Sequence, residues 1–540
     1  MPLVFAVSEI AGRRGLWLLE IDLGGELLRF STQAIDLSTQ DGRTLRYEAG
    51  LSDPGVAFDG AIEAVGVEIR SPRHVWTLLQ AQGQSLERCP GVLRRWFPGQ
   101  PFEASRVVLR GLTGRAICGF LDDPGQLSIE LRRTVADLGD TLPESTHVVD
   151  ASTWPVRPAY PQDSNVEGAF YPVVIGRPGF VDGGGQSTPG LLVEGLSHPS
   201  SRLLVAGHKV AASSVTVWNM SSSPPQFETR TVYEVADKLG KVISYTDFQS
   251  VTKPDFAATE GNKWWVGWHE LGGLEWRGEE LRGLGTVLEW AAVEHSAVEV
   301  DLGRIRSAAA ALDAYKVDAV INAPVNVLDW IRGELGKVYP IREVTGDAGL
   351  YWAQVRYDYT RRDAVASLST ARGEIRSAGP LASREVDLYN EITVEYAPSM
   401  MSGRYRRRVI ITGAARAQEI GPGIEERVLG SLRCQVSQAR YGVRATTITC
   451  PTVDEPSTAA RIASHMAALH ATPRRWGIWV GGAELEALPL LGCIEITDPV
   501  KHLNGVLAVV ERIEPRDGEV EIELTLLDDP IRQDVSTSAG

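Results

Sequence analysis

Arg474–Val480 (RRWGIWV), Leu490–Asp498 (LLGCIEITD), Val506–Glu514 (VLAVVERIE) and Glu519–Asp528 (EVEIELTLLD) decide the reading of this chain. Each run alternates apolar and polar residues with a period of two and is bounded by Gly, Pro or Asp, the pattern of strands with one face buried. Thr446–Cys450 (TTITC) has the same β-branched character. Set among these runs, Pro456–Leu469 (PSTAARIASHMAAL) places Ala460, Ile462, Ala463, Met466, Ala467 and Leu469 mostly on one helical face. The expectation is a small closed or sandwiched sheet with one helix laid against it. Such a module binds other modules, and none of its residues forms a recognisable reaction centre.

Working outward, the first 135 residues read as a β-rich unit. Gly15–Leu23, Glu26–Thr32 and Arg43–Leu51 are short apolar runs separated by Gly24-Gly25 and Gln40-Asp41-Gly42, which predicts a hairpin meander. Ala61–Ile69 alternates, Ser71–Gly83 resembles a short capped helix, and Ser105–Leu121 returns to strands. Leu127–Leu138 is open between a strand pair and a short helix. Pro143–Pro161 is proline-rich with few periodic apolar residues, the composition of an extended linker. Phe170–Gly179 (FYPVVIGRPG) then opens a second β unit. Leu281–Glu294 has amphipathic helical spacing, followed by two further helical stretches at 301–315 and 326–336, with Asn322-Ala323-Pro324 as a breaker in a capping position. Strands resume at 350–359, 388–397 and 404–412.

The fold class expected is therefore mainly β with an α+β insert: β-barrel or sandwich domains plus a helix-containing middle domain. The divisions expected are an N-terminal β domain at 1–140, a linker at 141–165 and a second β-rich domain at 166–255. A helix-containing middle domain at 256–360, a C-terminal β domain at 361–530 and a flexible tail at 531–540 complete them. At 540 residues the chain exceeds what one core supports, and 54 glycines favour many tight turns.

A formal net charge of −15 disfavours binding to a phosphate backbone or an anionic membrane surface. No apolar run approaches the roughly 18 residues of a membrane span, and no signal peptide is expected. Cys89, Cys118, Cys434, Cys450 and Cys493 are scattered without CxxC spacing, which reads as buried thiols in a reducing compartment.

Recognisable chemistry is sparse. There is no GxSxG elbow. His465 and His470 are five apart, where one helix face needs four, and His208, His269 and His295 have no partner at ligand spacing, so all read as structural or solvent-facing. Gly183-Gly184-Gly185 lacks the lysine and helix start of a phosphate cradle and reads as a loop. Asp347, Asp454 and Glu455 sit near loops, yet nothing sets them apart from other acids in an acidic chain. Arg404–Arg408 (RYRRR) reads as a charged edge strand or a subunit contact. Trp264, Trp265, Trp268, Trp276 and Trp290 concentrate aromatic area, which suits a core or interface more than a sugar platform. No catalytic, cofactor-binding or metal-ligating residue is expected.

Taken in order, these segments resemble the tail hub (baseplate hub, tail tip) proteins of tailed bacteriophages. Leu18–Leu37 with Asp41–Leu51 is similar to their opening, Phe170–Gly179 to the start of their second domain, Leu281–Ile341 to their central insert, and 463–527 to their terminal tube-like domain. The resemblance implies a homotrimeric ring in which each subunit offers two tube-like β-barrels, Leu16–Leu138 and about Arg361–Asp529, so that six continue the six-fold tail tube. It implies a structural virion protein and no enzyme. It would join the tube and distal tail ring to a central spike or fibre around the DNA path, next to the distal tail, tail tube and tape measure proteins. Assembly in the host cytoplasm and residence in the tail tip follow from it. Some relatives hold an iron–sulfur cluster on clustered cysteines, which this chain does not match, and no cofactor is implied. The alternative reading is a tail-associated carbohydrate-binding or cell-wall-degrading enzyme.

Overall fold

The computed structural model describes residues 15–70, 85–118, 126–133, 140–150, 152–154, 168–179, 188–194, 201–219, 226–248, 264–268, 271–295, 299–346, 348–379, 382–383, 388–398, 404–414, 419–421, 424–471, 474–481, 488–516 and 519–527. The helix expected at 71–83, Gly183–Gly185, His269, Asp347, the connection 399–403, most of the linker beyond Trp154 and the tail 531–540 lie outside them.

The molecule is mainly β with curled sheets and a few helices, as the alternation implied. The N-terminal sheet runs in the order 35–38, 44–49, 27–31, 16–22, 90–96, 106–113, 126–132 and 64–70. Its central strand, Leu16–Asp22, reads as an almost continuous apolar run because it is buried on both faces. Trp17, Leu19 and Ile21 point into one core, and Leu16 and Leu18 into a second with Leu37, Tyr47 and Trp96. The first turn forms as expected: Gly24 and Gly25 adopt positive φ, and the Asp22 carboxylate accepts both of their N–H groups at 2.9 Å.

The C-terminal sheet runs 364–369, 493–498, 503–516, 519–527, 474–481 and 375–378. The four alternating runs at 474–480, 490–498, 506–514 and 519–528 are neighbours in it. The inward residues Trp476, Ile478, Val480, Ile494, Ile496, Ile522 and Leu524 join the Trp17 face of the N-terminal sheet in one continuous core. Sheets from opposite ends of the chain thus share their apolar interior.

Between them lie two further bodies. A closed six-stranded barrel comprises 188–194, 201–206, 242–248, 226–236, 214–219 and 264–267, around Leu203, Val205, Val215, Val217, Val266 and Trp268. The described start of the proline-rich segment docks on it through Val149 and Trp154, whose indole N–H donates to the Tyr171 hydroxyl at 2.8 Å. The other body combines the helices Leu284–Glu294 and Leu302–Leu312 with a five-stranded mixed sheet in the order 419–421, 424–430, 405–412, 391–398 and 445–449. Helices Leu432–Tyr441 and Pro456–His470 also belong to it.

Five expectations change here. The helix Pro456–His470 covers the mixed sheet, not the C-terminal one: Ala459, Ile462, Ala463 and Ala467 pack in the core of Ile392, Val394, Val409 and Ile411. The TTITC strand accompanies it, pairing in parallel with Glu391–Pro398. The arginine-rich strand Tyr405–Thr412 is interior, because Ile424–Gly430 pairs along its other side and sets Glu425 and Glu426 opposite Arg407 and Arg408. The Leu284–Glu294 helix is buried on most of its circumference; a side chain on Gly285 would come within 2.4 Å of the Ala309 backbone, so glycine permits the close helix crossing. The cap of the following short helix is Asn326, whose side chain accepts from Leu328 N at 2.9 Å and Asp329 N at 3.2 Å, while Asn322 stays exposed.

Candidate functional site

Four chain segments meet beneath the barrel: 173–179, 281–283, 316–321 and 451–455. Val173–Ile175 pairs with Ala319–Ile321, and Gly176 then turns at φ 64°. A Cβ there would lie 2.2 Å from the Val317 carbonyl oxygen, so the turn requires glycine. It delivers Arg177 N–H to Asp318 Oδ1 at 2.7 Å. Asp318 is fully buried and also accepts from Arg282 Nε at 2.8 Å, Arg282 Nη2 at 3.2 Å and Asp454 N at 3.3 Å. Arg282 extends to Glu455 at 3.4 Å, and Arg177 forks onto Glu280 at 2.8 and 2.6 Å. Below, the buried Tyr339 hydroxyl lies 2.8 Å from the carbonyl oxygens of both Lys316 and Thr452.

Asp454 differs from the rest. It is 2% exposed; its Oδ2 accepts the Gly179 N–H, and its Oδ1 has no hydrogen-bond partner among the described residues. Burial first, and the neighbouring Asp318 carboxylate second, push its acid up to about 8. It forms part of the wall of a cavity of about 370 Å³ that also touches Asp318, Trp330, Asp329 and Glu334. The two acids that look alike in sequence are thus separated: Glu455 completes a half-buried ion pair, whereas Asp454 is buried with one oxygen unused. Adjacency of Asp454 and Glu455 carried no such signal, because the burial comes from the distant FYPVVIGRPG and 316–321 segments.

A second cavity, of about 500 Å³, lies where the N-terminal sheet meets the hairpin 341–354. Arg133 Nη2 donates to Thr345 Oγ1 at 2.8 Å, and Ile62 N donates to the same oxygen at 3.0 Å. Glu343 holds Arg332 through two contacts of 2.6 Å, and Arg332 reaches Glu63 at 3.2 Å. From the same hairpin Arg342 pairs with Glu511 of the C-terminal sheet at 2.8 Å. One hairpin therefore fastens both curled sheets.

The remaining candidates fall into separate surroundings. Trp268 is fully buried in the barrel core, Trp265 is half-buried opposite Trp218, and Trp290 is in the helical core. Trp276 donates to Glu294 at 3.1 Å under the Arg277 guanidinium. These described tryptophans form no common platform; the Trp264 side chain is outside the description. His208 accepts from Val174 N at 2.9 Å and has Nδ1 2.9 Å from Lys209 O, and burial lowers it to about 4. His465 is likewise lowered to about 4 by burial and packs on Tyr357. His295 faces Trp290 and Asp140. Cys89, Cys434, Cys450 and Cys493 are buried free thiols, and burial raises Cys450 to about 12. Among the described residues no group of three or more His, Cys, Asp or Glu side chains could hold a metal ion, and no helix is long and apolar enough to cross a membrane.

No protein-family model matches the chain, and no curated protein matches its sequence. Among solved structures, the 43 kDa tail protein of prophage MuSo2 from Shewanella oneidensis aligns at 10% identity and a TM-score of 0.32, covering 96% of this chain and 98% of that one. A tail protein from Neisseria meningitidis MC58 aligns at 12% identity and 0.33, covering 95% and 97%. The prophage tail protein gp18 from Listeria monocytogenes EGD-e aligns at 9% identity and 0.25, covering 63% and 95%. TM-scores this low do not establish a shared fold.

Proposed function

We propose that this chain is a structural tail protein of a tailed bacteriophage or related particle, and within the tail its hub. The observation that carries the reading is the single core shared by two curled, mainly antiparallel sheets from opposite ends of the chain. Each subunit then offers two tube-like units held at a fixed angle, and three subunits offer six. Exposed apolar side chains support burial by neighbours: Leu432 and Val436, one turn apart, and Val443 are 49%, 37% and 62% exposed. In this reading a homotrimeric ring joins the tail tube and distal tail ring to a central spike or fibre, beside the distal tail and tape measure proteins. The −15 balance suits a lumen that lets DNA pass without sticking.

Mass photometry and electron microscopy of the purified chain test it. The expected result is a trimer with a six-lobed ring around an open channel. A chain that stays monomeric alone and in its native particle overturns the reading, and a channel lined mainly by Lys and Arg overturns its DNA-conduit part.

A further inference from the structure

We infer that the cavity beside Asp454 is a binding site for a cationic head on an aliphatic stem, a guanidinium or an alkylammonium. The inference does not depend on the chain being a tail hub.

Three features of the cavity select that chemistry. At its base lies Asp454, a buried carboxyl group with an unused oxygen, which a native structure ordinarily satisfies. Its walls are apolar for the length of a stem, with Ile321, Val325, Trp330 and Pro398 facing the space. Its exposed rim carries two more acids, Asp329 and Glu334. An arginine or lysine side chain matches this sequence of surfaces: methylenes against the aromatic and aliphatic wall, charge at the carboxyl group. A hard divalent ion does not, since it asks for several oxygen ligands and Asp318 already spends its own on Arg177, Arg282 and the Asp454 backbone. A volume of about 370 Å³ admits one such side chain or a short polyamine.

The charged groups around Asp454 set how binding responds to pH. Asp318 ahead of the 319–321 strand opposes its ionisation, while the Gly179 N–H, Arg282 and Arg406 favour it. Tyr339 and Glu455 flank the base, and Asp329 and Glu334 the rim. Burial and Asp318 favour the protonated carboxyl in the empty site, and a bound cation favours its ionised form.

The test titrates butylguanidinium into the full-length chain by calorimetry, with butylurea as the neutral isostere. Saturable binding is expected for the cation and none for the urea. Affinity should be several-fold higher at pH 8.5 than at pH 6.5, with proton release on binding. Asp454→Asn keeps an acceptor for Gly179 N–H and should weaken binding at least tenfold. The exposed pair Asp329→Asn with Glu334→Gln, remote from the core, should weaken it a few-fold and guards against a folding artefact. Acetyl-Gly-Arg-Gly-amide binding more tightly than butylguanidinium assigns the natural occupant to a protein side chain, and spermidine doing so assigns it to a polyamine. Absence of binding by the cation, equal binding of the urea, or an unchanged Asp454→Asn variant overturns the inference.

Discussion

Phe58 and Ile513, 455 positions apart in the chain, exchange two backbone hydrogen bonds, Phe58 N to Ile513 O at 2.7 Å and Ile513 N to Phe58 O at 2.9 Å. Through this bridge the connection between strands 44–49 and 64–70 of the N-terminal sheet touches the backbone of the C-terminal one. The Phe58 ring is 4% exposed and lies under the Arg106 guanidinium, 4.1 Å from its carbon to the ring centroid. Both sheets are curled, so contact at one pair of backbones sets the angle between them while the shared core fills the space behind.

Phe58→Ala therefore should cost about 3–5 kcal/mol, the usual range for deleting a buried aromatic, and the damage should be felt at both ends of the chain. Hydrogen exchange measured on peptides containing 58 and 513 should lose protection together. If only the N-terminal peptide loosens, the bridge does not couple the sheets.

Arg282 makes the strongest electrostatic prediction. Its guanidinium is the charged partner of the buried Asp318, and Arg282→Met removes it while Asp318 stays out of water. Loss of one member of a buried pair typically costs about 3–5 kcal/mol. Urea denaturation should show that loss, and the double variant Arg282→Met with Asp318→Asn should recover much of it. A double variant as unstable as the single would mean that the packing of the arginine stem, not its charge, matters.

How much of this was legible beforehand depended on whether the signal was local. Strands such as Glu519–Leu527 announce themselves by alternation, and Leu16–Asp22 by an apolar run, because burial on one or two faces writes directly into neighbouring residues. The partner of a strand is not written there. TTITC and the 456–470 helix directly precede the C-terminal runs in sequence but pack on 391–398, since their apolar faces match Ile392 and Val394. The RYRRR strand looked like a guarded edge because nothing local reveals that Glu425 and Glu426 arrive beside it in parallel. Asp454 was indistinguishable from Glu455 for the same reason.

Acid should destabilise the protein through two half-buried histidines. His208 and His465 have folded values near 4, below the ordinary 6.5, so their neutral forms favour folding. That contribution is complete above pH 6.5 and is lost as pH falls towards 4, roughly 1–3 kcal/mol for each. Asp454 acts in the opposite sense: its raised value means the folded state keeps a proton the unfolded chain releases, so stability falls as pH rises from about 4 to 8. Denaturant midpoints across pH 4–9 should therefore show a shallow maximum, and Asp454→Asn should remove the alkaline decline. A decline that survives in Asp454→Asn would assign it elsewhere.

Trp268 separates a packing role from a recognition role for the tryptophan cluster. Its ring is fully buried in the barrel and its indole N–H has no hydrogen-bond partner among the described residues, so the residue carries both a large packing gain and an unmet donor. Trp268→Phe removes the donor with part of the ring, and these effects oppose each other; stability should change by no more than about 1 kcal/mol. Trp268→Ala leaves a void that the closed strand ladder cannot collapse and should cost about 3–5 kcal/mol. Neither variant should alter retention on immobilised polysaccharide or clearing of a peptidoglycan zymogram relative to the parent chain. A Trp268→Phe protein that folds normally yet loses sugar retention or zymogram activity would show that this cluster serves a ligand and not a core.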